Sequence, residues 1–131
     1  MVNKKHINYS ETILWLEKLK YQIESSNLPI TNVSGIPRGG LIPAVLLSHM
    51  LEIPYSTRIN ANTLLIDDIA DTGETLSKTS AIYTASLVYK PQTSKFKPTF
   101  YAYEHTNDDW IVFFWEKKEA KPIQGYLEYP H

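Results

Sequence analysis

An α/β fold built on a doubly wound, mainly parallel sheet flanked by helices is predicted by three observations. Helix-like and strand-like segments alternate along most of the chain, as they do in successive βαβ units. The central apolar run Leu64-Leu65-Ile66 lacks the in-and-out alternation of a half-exposed strand, as expected of a parallel strand covered on both faces. Two glycine-containing turns, Pro37-Arg38-Gly39-Gly40 and Asp71-Thr72-Gly73-Glu74-Thr75, each follow a strand, at the carboxyl ends where open α/β sheets bind ligands. With 131 residues and no linker, repeat or low-complexity tract, the chain is expected to form one domain over residues 1–131.

The elements follow in order. Ser10 is placed to cap a helix reaching about residue 25, with Ile13, Leu16, Leu19 and Ile23 as its apolar stripe at the 3.6-residue period. This is read as a helix covering the sheet. Residues 32–36 form a short strand that enters the first glycine turn, and residues 41–51 an apolar helix. Pro43 is tolerated there because it sits in the first turn, where its missing N–H removes no helical hydrogen bond. After a brief segment to Asn62 comes the central strand, ended by Asp67 and Asp68. A helix over about residues 74–81 and a strand over about 84–90 follow. Two aromatic-rich strands, near residues 99–104 and 110–115, close the pattern.

Composition narrows the function. The 43% hydrophobic and 21% charged residues fit a soluble globular chain, and no apolar run approaches the roughly 20 residues of a membrane span. A net charge of -1 leaves no broad attraction for nucleic acid or an anionic membrane, so a phosphate site must be local. The absence of cysteine removes disulfides and thiolate chemistry, and no signal-peptide core follows the N-terminal charges. A cytoplasmic location is the default expectation. His6, His49, His105 and His131 show no metal-ligand spacing, which leaves a metal-hydrolase reading without support.

The stretch from Leu64 to Thr75 carries most of the chemistry. Backbone N–H groups and hydroxyls of Thr72-Gly73-Glu74-Thr75 suit a phosphate, while Asp67 and Asp68 suit vicinal sugar hydroxyls or a hydrated Mg²⁺. Together they suggest a sugar phosphate. The run from Thr63 to Thr75 resembles the phosphoribosyl-diphosphate (PRPP) motif of the type I phosphoribosyltransferases: four mostly apolar residues, two acids, and a turn ending Asp/Thr-Thr-Gly-x-Thr. Thr63 departs from the pattern at its first apolar position but suits a strand. Gly35-Ile36-Pro37-Arg38-Gly39-Gly40 is similar to the pyrophosphate loop of the same family, with Pro37 where the xanthine-guanine branch has serine. By itself such a turn is equally ordinary loop punctuation.

The resemblance extends to the acceptor base. In xanthine-guanine and archaeal hypoxanthine phosphoribosyltransferases a lysine at a strand end donates to the purine 6-oxo group. A later Trp-Ile/Val segment then packs on the ring. Lys90, Trp110 and Ile111 match these positions in order and spacing. On their residues alone, Lys90 also reads as a surface lysine, and residues 110–115 as an aromatic core strand or a dimer contact.

The resemblance implies an enzyme that transfers ribose 5-phosphate from PRPP to a 6-oxopurine with release of pyrophosphate. Arg38 and Gly39 would meet the pyrophosphate, and Asp67 and Asp68 the ribose hydroxyls and Mg²⁺, the implied cofactor. Asp71 would serve as general acid or base beside purine N7. Thr72, Gly73, Glu74 and Thr75 would hold the 5′-phosphate, with the Glu74 side chain turned away. The likeness covers about residues 30–117, and residues 1–25 and 118–131 add little to it. Only residues 52–63 are left for the long mobile loop that family members carry, so the chain reads as a minimal version of the fold with a short catalytic loop. That shortness keeps open a second reading, a PRPP- or nucleotide-binding regulatory module with weakened catalysis. The partners expected are small molecules, PRPP and a purine base, and the aromatic C-terminal half fits a homodimer if part of it is exposed.

Overall fold

A computed structural model describes residues 3–117; residues 1–2 and 118–131, His131 among them, lie outside the described residues. In chain order the elements are β1 (Lys4–Ile7), α1 (Tyr9–Ser26), β2 (Asn32–Gly35), α2 (Leu41–Leu51), β3 (Thr63–Ala70), α3 (Glu74–Ser77), β4 (Tyr83–Tyr89), β5 (Phe100–Glu104) and β6 (Trp110–Phe113). Strands β2, β3, β4 and β5 lie side by side in that order, every pair parallel, as the alternating pattern predicts.

The sheet is covered on both faces. On one side Leu16 and Leu19 of α1 and Leu47 of α2 pack with Leu64 and Ile66 of β3 and Leu87 of β4. On the other, Leu76 of α3 packs with Ile36, Leu65 and Tyr89. Successive residues of β3 therefore enter opposite apolar clusters, which explains the absence of polar alternation in that strand.

Several boundaries differ from expectation. Asn8, not Ser10, caps α1: its Oδ1 accepts from the Glu11 amide at 2.8 Å and Glu11 Oε1 accepts from the Asn8 amide at 3.3 Å, a reciprocal capping box. Trp15 takes a buried place on α1 beside Leu16, Leu19 and Ile23, whereas Ile13 is only half-buried. Strand β3 continues through Ala70, so Asp67 and Asp68 lie inside it rather than at its end. Helix α3 is a single turn ending at Ser77, shorter than the expected 74–81, because Lys78 and Thr79 close it with bonds to the carbonyls of Glu74 and Leu76. β6 stops at Phe113, and Trp115 lies in the turn that follows.

The largest departure is β1. Residues 4–7 pair in parallel with β6, Lys4 opposite Trp110 and Ile7 opposite Phe113, in a separate two-stranded sheet. The Trp110 amide extends the ladder to the Asn3 carbonyl at 2.7 Å. The charged start of the chain thus supports the aromatic segment expected to meet a base. Among the described residues, no helix is long and apolar enough to cross a membrane.

Candidate active site

The two glycine turns meet at the carboxyl ends of β2 and β3. After β2 the chain is tied to β3 by the Ile36 amide on the Ile66 carbonyl at 3.0 Å, then reverses through Gly40 N–H to Ile36 O at 2.8 Å into α2. The Pro37–Arg38 peptide bond is cis. Glycine is required here by packing: a Cβ at Gly39 would overlap the Asp68 carboxylate, and one at Gly40 would overlap the Ile66 carbonyl. The pyrophosphate-like turn therefore lies directly against the acidic pair.

Both acids are held by the backbone of β3. Asp67 Oδ1 accepts from the Asp68 amide at 2.8 Å, and Asp68 Oδ1 from the Ile69 amide at 2.8 Å. Burial pushes the Asp67 carboxyl well above the usual carboxylate range, and the neighbouring Asp68 charge pushes it further. Burial raises Asp68 as well, against hydrogen bonds that favour its charged form. A raised folded-state value means that stability is fully present below the unfolded value, near 3.8, and is lost as pH rises through the folded value. Asp67→Asn removes that loss and keeps the Oδ1 acceptor. In ligand-free protein the variant is expected to melt roughly 4 °C higher at pH 7.5, equivalent to about 1 kcal/mol, with the gain vanishing near pH 4. Thermal unfolding of the two proteins at both pH values checks this, and equal midpoints at pH 7.5 would refute it.

The second turn begins at Asp71 and passes through Gly73, whose φ of 81° falls in the left-handed region. Thr72 Oγ1 accepts from the Glu74 amide at 3.3 Å. Glu74 is exposed, consistent with a side chain turned away from an anion. Asp71 is gripped from the chain after β4: Thr93 Oγ1 lies 2.9 Å from its Oδ1, and Lys90 Nζ 3.7 Å from its Oδ2.

One open cavity of about 680 Å³ gathers these parts. Arg38 and Gly39 line it with Asp67, Asp68 and the whole turn from Asp71 to Thr75, and Trp110 and Ile111 form part of the wall. Lys90 does not line the cavity itself, but its ammonium stands 5.7 Å from the Trp110 ring centroid while facing Asp71. The sequence-predicted residues are thus brought to one place, with Lys90 just behind the wall.

Trp115 and Glu116 also line the cavity, and neither was expected there. Trp115 stacks on Phe113 with ring centroids 4.6 Å apart, and Glu116 Oε1 accepts from the Phe113 amide at 2.9 Å, tightening the turn after β6. Burial pushes the Glu116 carboxyl up. The Phe113 amide opposes the shift, Asp68 adds to it and Arg38 counters it. The one signal in the sequence is an acid closing an aromatic run.

The acidic pair suits a divalent cation. Two adjacent carboxylates, both pushed toward protonation, gain from a positive charge, and their hard oxygens are the donors Mg²⁺ takes alongside substrate phosphates and water. Among the described residues, no group of three or more His, Cys, Asp or Glu could hold a metal ion.

Comparison with known proteins points the same way, although no family model matches the sequence. The chain is 28% identical to a xanthine-guanine phosphoribosyltransferase of Cereibacter sphaeroides, in an alignment covering 71% of this chain and 74% of that protein. The purine phosphoribosyltransferase of Pyrococcus horikoshii superposes with a TM-score of 0.74 at 25% identity, covering 92% of this chain and 99% of the other. The xanthine-guanine-hypoxanthine phosphoribosyltransferase of Helicobacter pylori has the same fold, with a TM-score of 0.73 at 21% identity and coverage of 88% and 93%. With a parallel sheet whose carboxyl ends carry the two turns in this order, the chain has the type I phosphoribosyltransferase fold and is similar in sequence to a xanthine-guanine phosphoribosyltransferase.

Proposed function

We propose that the protein is a purine phosphoribosyltransferase that transfers ribose 5-phosphate from PRPP to a 6-oxopurine and releases pyrophosphate. Its relatives are named as phosphoribosyltransferases, one for purines and another for xanthine and guanine. The observation that carries the reading is the shared cavity, in which an acidic pair and a phosphate-type turn open onto a Trp110-Ile111 wall. A protein that bound PRPP alone would have no use for an aromatic wall at that place.

Each group has a physical task. Backbone N–H groups and hydroxyls of Thr72, Gly73, Glu74 and Thr75 hold the 5′-phosphate. Asp67 and Asp68 accept hydrogen bonds from the ribose hydroxyls, fixing the sugar beneath the base. Arg38 and the Gly39 amide stabilise the charge that develops on departing pyrophosphate. Mg²⁺ held by Asp67 and Asp68 together with PRPP would neutralise phosphate charge. Asp71 exchanges a proton at purine N7, Lys90 donates toward the 6-oxo oxygen, and Trp110 and Ile111 supply the apolar slot.

One observation favours the second reading, a nucleotide-binding regulatory module. Residues 54–56 of the short connection are tied to the edge of β2: the Val33 amide bonds to the Pro54 carbonyl at 3.0 Å and the Ser56 amide to the Val33 carbonyl at 2.8 Å. Little chain remains to exclude water by loop closure. Pyrophosphate release, followed with PRPP, Mg²⁺ and each of hypoxanthine, guanine, xanthine and adenine, separates the two. Turnover is expected with at least one oxopurine and not with adenine. PRPP binding without turnover on any base would replace the enzyme by the binding module.

A further inference from the structure

We infer that Thr93 is a positioning residue for Asp71, setting the orientation of the carboxylate from the turn that follows β4; the inference rests on the acid/base role proposed for Asp71. The residues after β4 wrap back over the phosphate-type turn. The Thr93 and Ser94 amides bond to the Lys90 carbonyl at 3.3 and 2.9 Å, closing a turn directly after β4. The Lys95 amide then bonds to the Thr72 carbonyl at 3.0 Å, and Ser94 and Phe96 press against Gly73 so closely that a Cβ there would meet both. Within this wrap, Thr93 Oγ1 lies 2.8 Å from the Asp71 carbonyl and 2.9 Å from Asp71 Oδ1.

The geometry explains why a hydroxyl suits this place. Among the described residues, Thr93 can donate to Asp71 at Oδ1 and Lys90 at Oδ2, and the lysine stands off at 3.7 Å. A rotation of the carboxylate about its Cα–Cβ bond would let it close on the ammonium as a tight ion pair, a poor state for a group that must pick up and return a proton. Thr93 opposes that rotation with one neutral O–H shared between Oδ1 and the Asp71 carbonyl, which ties the carboxylate to its own backbone. The bond is solvent-exposed in the free protein, so its strength there is modest. Once a base covers the site, water no longer competes for Oδ1 and the orientation persists through the proton transfer.

Two variants and two measurements test this. Thr93→Val keeps the shape and removes the donor; Thr93→Ser keeps the donor. Thr93→Val is expected to lower kcat roughly tenfold while leaving KM for PRPP within about twofold of wild type, and Thr93→Ser to restore most of the rate. A Thr93→Val enzyme with wild-type kcat, or a Thr93→Ser enzyme as slow as Thr93→Val, overturns the proposal. The second measurement does not need turnover: the side-chain carboxyl ¹³C resonance of Asp71 should move in Thr93→Val and return in Thr93→Ser, and an unmoved resonance overturns the proposal. If wild type turns over no purine, the proposed function fails by that result, while the Asp71 resonance still decides whether Thr93 holds the carboxylate.

Discussion

Asp71→Asn is expected to lower kcat for nucleotide formation by roughly 10²- to 10⁴-fold, the usual contribution of a placed general acid or base. The substitution is nearly silent in shape. Asparagine keeps an oxygen where Thr93 Oγ1 now meets Asp71 Oδ1 at 2.9 Å, and the Asp71 carbonyl retains its own contact with Thr93 at 2.8 Å. What disappears is the capacity to carry a proton, together with the negative charge facing Lys90. PRPP affinity should change by less than about threefold, because the phosphate contacts proposed above come from the residues that follow Asp71. Steady-state rates on the favoured base and calorimetric titration of PRPP separate the two quantities. Unchanged turnover would remove Asp71 from proton transfer. A parallel loss of PRPP affinity would assign it to the phosphate turn.

Gly39→Ala should be the most damaging change of a single methyl group. A Cβ at this position overlaps the Asp68 carboxylate, and that carboxylate cannot simply swing aside because its Oδ1 is tied to the Ile69 amide at 2.8 Å. Either the turn carrying Arg38 lifts off β3 or Asp68 loses its anchor, and both outcomes would separate the groups proposed to meet pyrophosphate from those proposed to meet ribose. If two charge-assisted hydrogen bonds to PRPP are lost, kcat/KM should fall roughly 10²- to 10³-fold, mainly through KM for PRPP. The steric origin has its own control. In an Asp68→Ala background, where the obstructing carboxylate is absent, Gly39→Ala should add less than about threefold. Equal penalties in the two backgrounds would show that glycine is needed at position 39 for some other reason.

The parts legible in the sequence were those with local signals. The β3 run and its acids, the Gly39-Gly40 turn, Pro43 in the first turn of α2, and the Thr72-Gly73-Glu74-Thr75 cradle all depend on bonds among near neighbours. Periodicity, glycine placement and hydroxyl spacing therefore report them. Errors at the ends had local causes too. Asn8 and Ser10 both suit a helix N-cap, and the partner Glu11 three residues on decides for Asn8. α3 ends a turn early because bonds to the carbonyls of Glu74 and Leu76 close it, which apolar spacing over 74–81 does not convey.

The amino-acid sequence by itself determined the parallel α/β architecture, the order of the two anion-type turns and the residue types brought to them. Only the tertiary structure decided that residues 4–7 would brace β6, that Glu116 would line the same cavity as Arg38 and Asp68, and that Thr93 would reach Asp71. The physical reason is separation along the chain. A turn or a cap is selected by residues within one or two positions of its own bonds. β1 and β6 meet across about 100 residues, and a four-residue strand beginning Lys4-Lys5-His6 shows its apolar member, Ile7, only at its end. Such pairings are chosen by which surfaces remain uncovered once the sheet and helices have packed, and that choice exists only in three dimensions.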